Sequence, residues 1–556
     1  MLKRVATVLL VVSSIALAAE NLRSEILPGG MVVSDHPLAA QVGAAILEQG
    51  GNAADAAVAT ALAAGVVQPA GSGLGGGGFA VIAERNANGS NRFSVLDFRE
   101  VAPSAALPSM YLGDDGQVIE GLSRSGGLAV AVPGEPHGLA QLATTHGTMT
   151  LQALSEGAIR LAREGFQPTE HLIAAFANRP LQGLFLAGEP VRGGIVMRPR
   201  LAATIATWAD SSGRGLSEGP IATDIVEEVT RTGGLISVED LSSYEPTVRE
   251  PIIGSYRGYT VVTMPPPSSG GVVLLQVLSV LEHWELSELG HNSPEHLHLL
   301  AETFQHAFAD RANHMGDPSF TTVPVESLLS PQRTQAILDS FQADQTLSRE
   351  EYGADANIVD DAGTQHISVF DGAGGAVALT TTINTSFGSG VVAPQSGILL
   401  NNEMDDFVSA PGVPNAYGLI GREENQVEAG KKPLSSMTPT ILLKDGEIVM
   451  VVGASGGPFI ISSTLQVISN IVDFEMSPEE AVTAVRMHHQ WVPELLFLDE
   501  GSPQEVSAAL QALGHTTREM DFFSSVQVIS NLSGITSGAA DPRKGGAAIE
   551  VSTGER

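Results

Sequence analysis

Apolar residues recur at helical spacing from Leu38 to Glu48, between His36-Pro37 and Gly50-Gly51, which predicts a helix stopped by glycine. Asn52 then stands where a cap belongs, ahead of an Ala-rich run that predicts a second helix from Ala53 to about Ala64. The glycine string Gly71-Ser72-Gly73-Leu74-Gly75-Gly76-Gly77-Gly78 breaks the pattern, and Phe79 to Glu84 reads as a strand. From about Met149 to His314 the spacing is mostly helical, with an extended stretch near Gly254 to Met264. At Thr364 the character changes to strands. Gln365 to Phe370 and Ala376 to Asn384 flank the turn Asp371-Gly372-Ala373-Gly374-Gly375, a hairpin signal. Glu447 to Val452 predicts another strand, and Ile460 to Phe474 a helix. No repeat or linker-like tract divides the chain. Strands among many helices imply an α/β or α+β layered enzyme.

The first residues read as an address. Lys3 and Arg4 precede an apolar run from Val5 to Leu17 that ends in Ala16-Leu17-Ala18, the pattern of a secretory signal peptide cut near Ala18. The run is short for a membrane span, so no stable membrane insertion is expected. This predicts a periplasmic or secreted protein.

Composition narrows the chemistry. The 556 residues are 43% hydrophobic, enough for a large core and against global disorder. With no cysteine there is no disulfide, thiolate metal site or cysteine nucleophile. A formal net charge of −33 argues against a nucleic-acid partner. Lysine is confined to Lys3, Lys431, Lys432, Lys444 and Lys544.

Several motifs carry candidate chemistry. Gly71, Gly73 and Gly76 have the spacing of a dinucleotide loop, but a helix precedes them and a strand follows, the reverse of the order that loop needs. Close backbone packing, or shaping of a site floor, accounts for them better. Gly453-Ala454-Ser455-Gly456-Gly457 matches a nucleophile elbow between strand and helix, with His488, His489 and His515 downstream, so a serine hydrolase is a competing reading. The other reading is a glycine turn whose free N–H groups bind an oxyanion. His298, Glu302 and His306 share one helix face, for which ordinary helix surface is favoured over a metal. Glu403 and Asp406, between apolar neighbours, suit an ammonium ligand, and Arg99 suits a carboxylate. Thr364 heads a strand; its hydroxyl becomes a nucleophile if the chain is cut before it and its own α-amine serves as base.

Together these segments resemble the γ-glutamyltranspeptidase (glutathione hydrolase) family of N-terminal-nucleophile hydrolases. The resemblance rests on Gly51 to Ala56, Leu74 to Phe79, Asp97 to Glu100 and Met264-Pro265-Pro266-Pro267-Ser268-Ser269-Gly270-Gly271. It continues through Thr364 to Val369, Asn401 to Phe407, Pro433 to Met437, Ser455 to Gly457 and Asp541-Pro542-Arg543. It implies an α+β fold, a four-layer αββα sandwich, built by a precursor that cuts itself between Gly363 and Thr364. The parts would be a signal peptide (1–18), a large subunit (19–363) and a small subunit (364–556), the two subunits forming one domain. By resemblance Thr364 is the nucleophile and Thr382 orients it. Arg99, Ser435 and Ser436 hold the substrate's α-carboxylate, and Glu403, Asp406 and Asn384 its α-ammonium. The N–H groups of Gly456 and Gly457 form the oxyanion hole, and Tyr417 is a lid over the site. The substrates implied are γ-glutamyl amides such as glutathione, with water or an amino acid or peptide as acceptor. No cofactor or metal is expected, since nucleophile, base and oxyanion donors all come from the chain.

Four positions depart from the family pattern. Gln365 stands where Thr or Ser is usual, Glu403 where many bacterial members have Gln, and Pro458-Phe459 where many bacterial members have Ser-Arg. The rival readings are a cephalosporin (glutaryl-amide) acylase of the same family, a serine esterase using Ser455, and a binding protein that keeps the pocket without processing.

Overall fold

The computed structural model describes residues 30–185, 188–347, 363–521 and 524–551. The expected signal peptide and its cleavage point lie outside these residues.

Two antiparallel sheets form the centre. The first has seven strands in the spatial order Ala547–Val551, Gly30–Ser34, Gln365–Phe370, Ala376–Thr382, Gly77–Arg85, Asn91–Phe98 and Thr247–Arg249. The second has six, Ser537–Ala540, Ser525–Ser530, Glu447–Ser455, Thr440–Lys444, Tyr259–Thr263 and Ile252–Tyr256. Side chains alternate along a strand, and here the alternation assigns each face. Val32, Ala80, Ile82, Ile367 and Leu379 face outward into a core shared with the helices Pro37–Glu48, Ala53–Val67 and Leu151–Glu164. Met31, Val33, Phe79, Val81 and Ala378 face the second sheet, whose far side is covered by Gly270–Leu281, Pro294–His314 and Phe459–Val472. The layers therefore run helix, sheet, sheet, helix, the αββα sandwich.

Segments from before and after residue 364 contribute to both sheets and interleave in the first. Gly30–Ser34 sits between Gln365–Phe370 and Ala547–Val551, and Gly77–Arg85 pairs with Ala376–Thr382. This shared core is why no domain boundary is visible along the sequence. Most expected elements lie where their patterns predict, with shifted ends. The extended stretch near Gly254 to Met264 is a hairpin, Ile252–Tyr256 with Tyr259–Thr263. Among the described residues no helix is long and apolar enough to cross a membrane.

Candidate active site

Thr364 opens the second half of the chain at the head of the strand Gln365–Phe370, near the centre of the first sheet. Its N–H donates to the Gly71 carbonyl at 2.8 Å, so the glycine string supplies the acceptor that fixes it. That string lies close against the strands: a Cβ on Gly76 would stand 1.9 Å from the Thr382 carbonyl. Packing of backbone on backbone, as the sequence suggested, explains these glycines.

The Thr364 hydroxyl lies 3.0 Å from that of Thr382. Thr382 Oγ1 accepts the Asn384 N–H at 2.8 Å, so its own proton is available to point at Thr364. Thr364 has φ +81°, a sterically strained conformation for a β-branched residue, immediately after the Gly363–Thr364 bond. A Cβ on Gly363 would come within 1.9 Å of the Asn384 carbonyl, so only glycine fits before Thr364.

Facing Thr364 is a cleft of about 290 Å³, lined by every residue of the expected site except Gly456. Leu419, Met437 and Ile460 complete its walls. Gly456 and Gly457 have φ of +122° and +58°, and Gly457 reaches the cleft beside Tyr417. The Tyr417 hydroxyl donates to the Asn384 carbonyl at 3.0 Å, laying the ring over the site.

Arg99 follows the strand Asn91–Phe98 and is 1% exposed. Its N–H donates to Asp97 Oδ1 at 3.0 Å, and Asp97 is itself held by Arg249 and Lys432. Glu403 and Asp406 lie on a single 3₁₀ turn, where residues three apart share a face. Arg99 bridges them, donating to Glu403 and, at 2.5 Å, to Asp406. Burial raises the pKa of both acids and Arg99 opposes that shift. Ser435 is held by its N–H to the Pro267 carbonyl at 2.9 Å, and its carbonyl accepts the Ser269 N–H at 2.8 Å. Buried Arg311 donates to Ser269 Oγ at 3.0 Å behind them.

Residues 39–551 match the family described as gamma-glutamyltranspeptidase. The chain belongs to that family. It is 38% identical over 527 residues to a glutathione hydrolase proenzyme of Escherichia coli (strain K12), covering 92% of this chain and 90% of the relative. It is 40% identical over 476 residues to one from Pseudomonas sp. (strain A14), covering 84% and 82%. In structure it resembles a cephalosporin acylase from Bacillus halodurans, with TM-score 0.80 and 27% identity over 94% of this chain and 96% of that one. It also resembles γ-glutamyltranspeptidase from Helicobacter pylori, with TM-score 0.54 and 38% identity over 57% of this chain and 93% of that one.

The competing motifs have other partners. Ser455 is fully buried and its hydroxyl oxygen accepts a hydrogen bond from Lys544 Nζ at 2.7 Å. No histidine takes part: His488 is bonded to Ser462 and Gln490, His489 accepts the Trp491 N–H, and His515 meets His298 at 2.7 Å. Glu302 joins His298 and His515 in a buried cluster, bonded to Thr346 and Gln305, whereas His306 turns away to Ser340. His298, Glu302 and His306 are therefore not one cluster, nor the ordinary helix surface the sequence favoured: His298 and Glu302 are buried because His515, from a distant segment, packs against them. Of the departures, Gln365 donates to the Gln68 carbonyl at 2.8 Å, and Phe459 stacks on His488 with ring centres 4.0 Å apart.

Sequence reasoning missed Lys544. Its Nζ donates to the Thr364 carbonyl at 3.0 Å and to Ser455, joining the C-terminal segment to the head of the Thr364 strand. Its rarity in a lysine-poor chain was the only available signal.

Proposed function

We propose that this protein is a self-processing γ-glutamyltransferase and glutathione hydrolase with Thr364 as nucleophile. The observation that carries the reading is the Thr364 hydroxyl, held by Thr382, facing a cleft that also contains Arg99 and two carboxylates. In maturation Thr364 Oγ attacks the Gly363 carbonyl carbon, the peptide C–N bond breaks, and the Thr364 nitrogen takes the hydroxyl proton. Water then hydrolyses the resulting ester, leaving a large subunit ending at Gly363 and a small subunit starting at Thr364. The backbone strain at Thr364 favours that step, because cleavage frees its φ.

In turnover the freed α-amine is the base, with an ordinary pKa of about 8. Thr364 Oγ attacks the γ-amide carbon, its proton passes through the α-amine to the departing amine, and a γ-glutamyl ester remains. Water or an acceptor amine resolves the ester. Gly456 and Gly457 N–H groups stabilise the oxyanion, roughly 3 kcal/mol per donor. The side chain of Lys544 beside the Thr364 carbonyl disfavours a second positive charge there, which keeps the α-amine neutral.

A γ-glutamyl group carries a zwitterion away from the reacting carbon. Arg99, Ser435 and Ser436 take its carboxylate; Glu403, Asp406 and Asn384 take its ammonium. Arg99 spans the two acids in this structure, so substrate exchanges one set of ion pairs for another. The acceptors are amino acids or peptides, and the signal sequence directs the enzyme to the periplasm or outside the cell.

A second reading, an acylase of glutaryl-type amides, is favoured by the full-length likeness to the cephalosporin acylase structure. A γ-glutamyl anilide against the matching glutaryl anilide separates the two. The proposal predicts kcat/KM at least about 100-fold higher for the γ-glutamyl compound, the size of a lost charge-assisted contact. Equal or reversed preference overturns it.

A further inference from the structure

Two carboxyl groups behind the site have no part in this scheme. Glu100 follows Arg99, and Glu135 opens the helix Glu135–His146; both side chains are 0% exposed. Glu100 Oε2 lies 3.8 Å from Arg99 Nη1, beyond a hydrogen bond but within strong electrostatic reach. Among the described residues no group makes a well-formed hydrogen bond to any of the four carboxyl oxygens. The N–H of Gly73 near Glu135 and the backbone of Glu100 itself are the nearest weak donors. Gly77 makes room for this carboxyl, since a Cβ there would stand 2.5 Å from Glu100 Oε2.

The nearby cations already have partners. Arg99 donates to both Glu403 and Asp406, and buried Arg311 adds its pull on Asp406. Tyr244, which donates to the Arg99 carbonyl, is neutral, and Asp97 is matched by Arg249 and Lys432. Two further anions would be buried without counter-charge, which burial penalises heavily. Burial pushes the pKa of Glu100 up to about 8, against the pull of Arg99 and with added repulsion from Glu135 and Asp406. Burial also raises Glu135 to about 8.

We propose that Glu100, held neutral with Glu135 as a buried acid pair, is a positioning residue for γ-glutamyl binding. Its proton leaves Arg99 able to take the substrate's α-carboxylate, and its ionisation sets the alkaline limit of that binding. This rests on the reading of Arg99 given above. A γ-glutamyl zwitterion adds no net charge to the site, whereas an ionised Glu100 adds an anion beside Arg99 and repels the incoming carboxylate. The two acids interact, so the midpoint belongs to the pair.

The test is KM for a γ-glutamyl anilide between pH 6 and 10 on wild type, Glu100→Gln, Glu100→Asp, Glu135→Gln and Arg99→Gln. The substrate's own ammonium titrates identically in every case and cancels in the comparison. From pH 7 to pH 9 the wild-type KM rises about tenfold more than that of Glu100→Gln, the factor for a group titrating at about 8. Glu100→Asp, which restores a titratable carboxyl, brings the rise back. Glu135→Gln moves the rise to lower pH, because no second anion then helps retain the Glu100 proton. A Glu100→Gln profile parallel to wild type, with Arg99→Gln raising KM at pH 7, overturns this inference alone. If Arg99→Gln leaves KM unchanged, the reading of Arg99 falls and this inference with it. Should Glu100→Gln fail to mature, an unmoved midpoint in Glu135→Gln overturns the inference.

Discussion

Thr364 and Ser455 are two hydroxyls joined through one lysine, since Lys544 donates to the carbonyl of the first and the side chain of the second. Ser455 has the more suggestive sequence, a G-x-S-x-G turn between strand and helix. Thr364 has an ordinary strand sequence after it. Their surroundings reverse that ranking. Thr364 faces the cleft, has a second hydroxyl against its own and a strained backbone at the bond before it. Ser455 is enclosed, bonded to a cation, and among the described residues has no histidine partner. A nucleophile is made by its base, its access and its oxyanion donors, and a short motif specifies only the turn.

The contrast breaks most sharply at the cleavage bond. Thr364→Ala leaves the precursor uncut and abolishes turnover, whereas Ser455→Ala is cut and keeps activity within about tenfold of wild type, as loss of one buried hydrogen bond allows. Gly363→Ala places a methyl against the Asn384 carbonyl and slows processing by orders of magnitude, visible as precursor on a denaturing gel. Arg99→Gln leaves Glu403 and Asp406 buried without their partner; it raises KM at least about 100-fold and lowers Tm, in line with the roughly 3–5 kcal/mol cost of breaking a buried pair.

Smaller effects sharpen the comparison. Thr382→Val removes the hydroxyl hydrogen-bonded to that of Thr364 and lowers kcat about 10- to 100-fold with little change in KM, measured by steady-state kinetics. Glu135→Gln tests the charge balance through stability. The unfolded chain loses this proton near its ordinary 4.5 and the folded chain keeps it to about 8, so the folded state binds more protons between those values. Wild-type stability therefore falls as pH rises through that window, and Glu135→Gln gains Tm over wild type at pH 8 but not at pH 5.

How much was legible depended on how local the cause is. The strand Gln365–Phe370 and the capped start of the helix Ala53–Val67 follow from alternation and from Asn52, whose side chain accepts the Asp55 N–H. That helix runs a turn past the expected Ala64 because Gly65, which alone suggests a break, sits where Gly73 crosses it; a Cβ there would meet Gly73 Cα at 2.8 Å. The strand expected to reach Asn384 stops at Thr382, since Asn384 turns to φ +72° at the site. Gly453 in the elbow serves sheet packing, because His366 from the facing sheet fills the space over it. The candidate site residues were read through the family motifs, and the geometry gathers all but Gly456 around one cleft. Lys544, Arg311 and the Glu100–Glu135 pair were not legible, because each matters through burial and charges brought from distant segments.

The most direct test of the central claim is intact mass spectrometry of wild type, Thr364→Ala and Ser455→Ala, with a γ-glutamyl anilide assay on the same samples. Two fragments in wild type and Ser455→Ala, the smaller beginning at Thr364, with Thr364→Ala uncut and inactive, are the predicted result. An uncut wild type that turns over substrate, or activity lost in Ser455→Ala and kept in Thr364→Ala, would contradict it.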